Sequence, residues 1–88
     1  MARYRIMTWQ GIPAQVKAED EAGGKASREL PEWFAQEIDR VAMRDGVAGT
    51  DEYLEKWSWS KPVERAGTAE EVVDAVIAEQ VEAWGRTA

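Results

Sequence analysis

The chain contains neither cysteine nor histidine. With them go the two staples that small domains use most, the disulfide and the zinc site. Whatever fold the 88 residues adopt must therefore be held by packing alone. A domain of this size buries roughly 60–65% of its unfolded surface, so one thin core is expected and a deep cleft is not. Five tryptophans suit such a core, since each can bury on the order of 200 Å². The same absence bears on chemistry. There is no thiolate nucleophile, no imidazole acid–base group and no ordinary ligand set for zinc, iron–sulfur or haem. The expectation is a non-enzymatic domain without metal or cofactor, and no catalytic, cofactor-binding or metal-ligating residue is assigned.

Composition is globular, at 44% hydrophobic and 32% charged. The net charge of −6 is unevenly placed. Residues 1–44 carry 7 basic and 7 acidic groups, whereas residues 45–88 carry 4 and 10. Nucleic-acid binding is disfavoured, because phosphate contacts need a basic surface. The longest fully apolar run is Ala75–Ala78, far short of the roughly 20 residues that span a bilayer. No signal peptide is legible behind Met1. A cytoplasmic protein without membrane attachment is expected.

Tyr4–Trp9 reads as a strand rich in aromatic and β-branched residues. Gln10-Gly11-Ile12-Pro13 breaks it, and Ala14–Glu19 then alternates apolar and polar with period two. The two runs predict a hairpin. Setting Ile6 opposite Val16 brings Tyr4 to Ala18 and Thr8 to Ala14, which gathers one mostly apolar face. The other face receives Arg3 against Glu19, Arg5 against Lys17 and Met7 against Gln15, with Trp9 at its end beside Pro13. A slip of one residue would mix the two sets.

Asp20–Gly24 is a turn. Lys25–Glu29 reads as a short third strand or a plain connector, with the strand favoured. Pro31 suits the first position of a helix, in which Phe34, Ile38, Val41 and Ala42 recur at helical spacing and which Gly46 ends. Asp51–Glu55 allows a short helical turn. A strand is centred on Trp57-Ser58-Trp59 and is stopped or pushed to an edge by Pro62. The two tryptophans face either the helices, the favoured reading, or the open side of the sheet. Thr68-Ala69-Glu70-Glu71 has the form of a capping box, Thr at the N-cap and Glu three residues on. The stripe Val73, Val76, Ile77, Gln80, Val81 and Trp84 follows, and Gly85 closes the helix. The order β-β-(β)-α-β-α predicts a single α+β domain over residues 3–84. It is a two-layer sandwich in which a small, mainly antiparallel sheet of three to four strands carries two helices on one face. Its core is drawn from Phe34, Ile38, Val41, Val73, Val76, Ile77 and Trp84, while Trp33 lies off the stripe, partly exposed.

Three clusters invite a chemical reading, and each has a plainer one. Glu71 and Asp74 lie on one side of the last helix and would suit a hard cation, but a helix also needs a polar face. Lys56, Lys61, Ser58 and Ser60 resemble a Ser–Lys nucleophile only as far as any alternating strand does. Gly23-Gly24-Lys25 lacks the strand–loop–helix frame of a phosphate loop. The remaining candidate is an interaction surface on the open sheet face, formed by Arg3, Arg5, Met7, Trp9, Gln15 and Lys17. It has the layout of an apolar centre rimmed by charge.

The run Met7-Thr8-Trp9-Gln10-Gly11-Ile12-Pro13-Ala14-Gln15-Val16 resembles the start of a small bacterial domain family labelled "virulence factor". So do Leu30-Pro31-Glu32-x-Phe34, Ile38-Asp39, Ala48-Gly49-Thr50-Asp51-x-Tyr53-Leu54 and Trp57-x-Trp59. The domain is similar to stand-alone bacterial proteins and to a terminal domain of larger conserved virulence factor proteins. The resemblance covers nearly the whole chain and carries no catalytic signature. It implies an accessory role. A gene neighbourhood of folate-linked methyl-transfer enzymes is a further, looser association. The function expected is an accessory protein-interaction module, acting on a protein partner or by self-association. A small-molecule or cofactor-binding accessory of one-carbon enzymes is the alternative.

Overall fold

The computed structural model describes residues 1–85. Strands β1 (Ala2–Trp9) and β2 (Ile12–Asp20) form the expected hairpin. Gln10 and Gly11 both have positive φ, 49° and 83°, the two-residue turn whose twist matches that of paired strands. The register sets Ile6 opposite Val16, Tyr4 opposite Ala18, Arg3 opposite Glu19, Arg5 opposite Lys17 and Met7 opposite Gln15. It departs from the sequence reading at one place. Thr8 pairs with Pro13 rather than Ala14, and Ala14 is the extra residue of a bulge. Proline has no N–H to give to the ladder, and the bulge accommodates it. The carbonyl of Ala14 instead accepts from the Leu30 N–H at 3.0 Å.

The favoured strand at Lys25–Glu29 forms, as β3, antiparallel to β2. Helix α1 (Glu32–Arg44) begins one residue after Pro31, which takes the N-cap place with extended backbone. Gly46, with φ 74°, closes that helix, and the Val47 N–H returns to the Ala42 carbonyl. The helical turn at Asp51–Glu55 is present as α2, capped by the Thr50 side chain, which accepts from the Tyr53 N–H at 3.3 Å. Strand β4 (Trp57–Trp59) pairs with the end of β1, Met7 to Trp59 and Trp9 to Trp57.

A further strand, β5 (Val63–Arg65), pairs with the start of β1. Thus β4 and β5 share one edge of β1, interrupted at Ser60-Lys61-Pro62. The interruption is bridged by one residue. Ser60 donates its N–H to the Ile6 carbonyl and accepts the Ile6 N–H on its hydroxyl, both at 2.9 Å. The sheet order is β3-β2-β1-β4, with β5 also on β1.

Helix α3 (Ala69–Gly85) has its capping box. The Glu71 N–H donates to Thr68 Oγ1 at 3.2 Å, and the Thr68 N–H to Glu71 Oε1 at 3.1 Å. It lies along the sheet against β2, β3 and β1. The core joins Ala2, Val16 and Ala18 of the sheet to Phe34, Ile38, Val41 and Ala42 of α1 and to Val72, Val73 and Val76 of α3. The apolar stripe of α3 is centred one residue earlier than the spacing suggested. Ile77 and Trp84 are half-buried against the core, and Val81 is exposed. The chain is thin, with principal extents of 43 × 29 × 17 Å. A stacked layer needs about 10 Å, so a 17 Å slab holds the sheet and one layer of helices. One side of the sheet is left largely bare.

Candidate functional site

Alternation fixes what that bare side carries. Crossing the sheet from β3 to β5, the first rung is Lys25, Glu19, Arg3 and Glu64. The second is Ser27, Lys17 and Arg5, and the third is Glu29, Gln15, Met7 and Trp59. The first rung alternates in sign, a favourable cross-strand pattern. The second sets two cations opposite each other. The Lys17 ammonium lies 4.3 Å from the Trp59 ring centroid, a cation–π contact that draws it toward the ring. Trp59 is 39% exposed, so that stack is a surface feature.

Five of the six residues placed on this face by the sequence are there: Arg3, Arg5, Met7, Gln15 and Lys17. Trp9 is not a surface residue, being 0% exposed. Its indole Nε1 donates to the Tyr53 carbonyl at 2.9 Å, and its ring lies 5.4 Å from that of Tyr53. The open face is open only away from the hairpin turn. At the turn end α2 closes over it, and Trp9 joins the core. The two tryptophans of β4 divide accordingly. Trp57 packs against the core and meets Tyr53 edge to face at 6.0 Å, whereas Trp59 stands on the open side.

Two concavities mark this side. A broad dish of about 720 Å³ lies over the first two rungs and is lined largely by charged residues, among them Arg3, Arg5, Lys17, Lys25 and Glu64. A smaller cleft of about 260 Å³ lies at the third rung, where Met7 and Gln15 meet Ile38, Asp39, Tyr53 and Trp57. Sequence reasoning missed this cleft and favoured the helix side for Trp59, which instead stands on the open side beside Met7. Both depend on where α1 and α2 come to rest, which no local pattern encodes.

The other candidate clusters are occupied by structural roles. Asp20 accepts the Gly24 and Ala22 N–H groups on one oxygen, at 2.8 and 3.1 Å, and the Ala69 N–H on the other at 3.1 Å. The amides of the Gly23-Gly24 turn that a phosphate would need are thus already taken. These bonds, from Ala69 first and then Gly24, hold the Asp20 carboxyl below its ordinary pKa. Glu71 is committed to the capping box, and Asp74 pairs with Arg28 at 2.7 Å. Glu79 pairs with Arg65 through both oxygens, at 2.8 and 2.7 Å, and that guanidinium holds the Glu79 carboxyl below the usual range. Ser60 bridges the broken edge. Among the described residues no group of three or more carboxylates is placed to hold a metal ion, and no helix is long and apolar enough to cross a membrane.

A sequence model described as "Virulence factor" matches residues 7–87. The chain belongs to that family. The virulence factor family is named for a phenotype, and its name states no reaction. No curated protein and no solved structure matches the chain. The resembling blocks can be given physical meaning. Met7–Val16 supplies the turn and bulge of the hairpin. Ala48–Leu54 contains the cap of α2 and Tyr53, which together seat Trp9. Trp57-x-Trp59 sets one ring in the core and its neighbour on the open face. Within the family match lie Met7, Gln15, Lys17 and Trp59 of the candidate surface; Arg3 and Arg5 precede it.

Proposed function

We propose that this virulence factor domain is a non-catalytic, cytoplasmic docking module that binds a partner protein across the open face of its sheet. The observation that carries this reading is the third rung, where exposed Trp59 and half-buried Met7 stand beside the cations Lys17 and Arg5. Tryptophan, methionine and arginine are enriched at protein interfaces. The free edge of β3 is the less suitable surface. Three of its five residues are charged, the usual guard against strand addition. Arg5 and Lys17, adjacent on one rung, favour a partner that brings carboxylates to that place.

Photocrosslinking in the native cell tests this. Benzoylphenylalanine replaces Trp59 in one variant and Met43, exposed on α1, in another. One discrete adduct from position 59 and none from position 43 is expected. An adduct of twice the chain mass would substitute self-association, and the absence of any adduct at position 59 would overturn the reading.

A further inference from the structure

We infer that the segment docked on the open face is acidic and extended, with one apolar side chain in the Tyr53–Trp57 cleft and a carboxylate at Arg5 and Lys17. The inference rests on the docking reading and adds the partner's chemistry.

The cations of the described residues sort into two groups. Arg28, Arg40, Arg44, Lys56 and Arg65 each have a carboxylate within 4.0 Å. Arg3, Arg5, Lys17, Lys25 and Lys61 form no such pair among the described residues, and the first four lie on the open face. This happens in a chain with 17 acidic and 11 basic residues, where partners are plentiful. Within the face, the charge is focused. The first rung offsets itself, Lys25 and Arg3 alternating with Glu19 and Glu64. The second rung does not, because Arg5 and Lys17 are direct neighbours with only Ser27 beside them. Like charges directly opposed are unfavourable. A carboxylate placed between them removes that repulsion and can take the planar guanidinium through two bonds.

The cleft supplies the other half. At about 260 Å³ it is below the roughly 300–1,000 Å³ of small-molecule sites, but it suits one side chain. Met7, Ile38, Tyr53 and Trp57 give it apolar walls, while Glu29 and Asp39 stand at it as well. A carboxylate is unwelcome there and an apolar group is welcome. Polarity follows: apolar anchor at the cleft, acid toward Arg5. Met7 and Arg5 are two residues apart on one strand, about 7 Å, which is also the spacing of alternate residues in an extended peptide. A nucleic-acid backbone fits less well, since it would have to cross Glu19, Glu64 and Glu29 without using the apolar cleft.

Fluorescence anisotropy of the full chain with labelled peptides tests the inference. The parent peptide has a leucine with glutamate two residues away on each side, so either chain direction can dock. Three relatives carry alanine for the leucine, glutamine for both glutamates, or lysine for both. Oligouridylate is the fifth probe. Saturable binding of the parent is expected, weakened about tenfold or more by each change and by Arg5→Glu in the protein. The Arg5→Glu variant should keep the melting profile of the parent protein, because Arg5 is exposed. No binding of the parent, equal binding of the lysine peptide, or indifference to Arg5→Glu overturns the acidic segment. Tighter binding of oligouridylate would replace it with nucleic acid. A crosslink at position 59 that persists while these peptides fail leaves docking standing and removes only its acidic chemistry; loss of the crosslink removes both.

Discussion

Trp9 carries more of the structure than any other single side chain. It is the largest fully buried residue, its one polar atom is satisfied by the Tyr53 carbonyl, and it ties β1 to a helix 44 residues away in sequence. Alternation alone puts it on the same side as Met7, and that inference is sound as far as it goes. What alternation lacks is the return of the chain over the turn end of the hairpin. The consequence is measurable. Trp9→Ala should cost about 3–5 kcal/mol, a large share of the stability of so small a domain. Trp9→Phe keeps most of the ring but leaves the Tyr53 carbonyl with only the longer bond from the Lys56 N–H, at 3.4 Å, and should cost less. Urea denaturation of both variants checks the order. A Trp9→Ala midpoint equal to that of the parent would return Trp9 to the surface. Ile77→Ala makes the useful contrast, since Ile77 is only half-buried and its loss should fall well below that of Trp9.

At the scale of elements, what was legible is what local chemistry dictates. The hairpin register followed from period-two alternation in Ala14–Glu19. The start of α3 followed from Thr68 and Glu71, and the end of α1 from Gly46. Strand β5 was not legible. Val63–Arg65 is three residues long, follows a proline and buries no side chain fully, so it has no alternation to read. It exists because β1 has an edge to offer and because Ser60 keeps that edge hydrogen-bonded across the break before Pro62. The candidate face was read in five of its six residues, since it is a matter of strand parity. The sequence favours the helix side for Trp59 and the structure the open one, because choosing its side requires knowing that Trp57 is taken up by Tyr53. The Ser60 bridge makes a test of this level. Ser60→Ala leaves the Ile6 N–H without its acceptor, at a cost of about 1 kcal/mol. Amide exchange should speed up at Ile6 while the amides of α3 that open only with the whole domain change little. Uniform acceleration across the chain would mean that the β4–β5 edge is not a separate unit.

For the molecule as a whole, the question is what keeps the single helix α3 on a sheet this small. Apolar contact through Val72, Val73 and Val76 is the larger part. Three polar clamps are spaced along the same helix: Asp20 on the Ala69 N–H at its start, Arg28 on Asp74, and Arg65 on Glu79. Two of them have a defined pH dependence. The backbone donors around Asp20, Ala69 first, lower its pKa from the ordinary 3.8. The Arg65 guanidinium lowers that of Glu79 from the ordinary 4.5. A carboxyl whose pKa is depressed on folding binds its proton more readily when the chain is unfolded, so stability rises with pH through that range. The contribution of each is complete above its ordinary value and is lost as pH falls through the lower native one. The urea midpoint should therefore hold level down to the ordinary carboxylate range and decline below it. In the double variant Asp20→Asn, Glu79→Gln the midpoint should start lower near neutrality, because an amide at position 20 cannot accept on both atoms and one at position 79 forfeits the charge-assisted pair. Its further decline in acid should be shallower. If parent and variant lose stability in parallel below pH 4.5, the acid sensitivity resides in other carboxylates, and the clamps at the start and middle of α3 are bystanders to it.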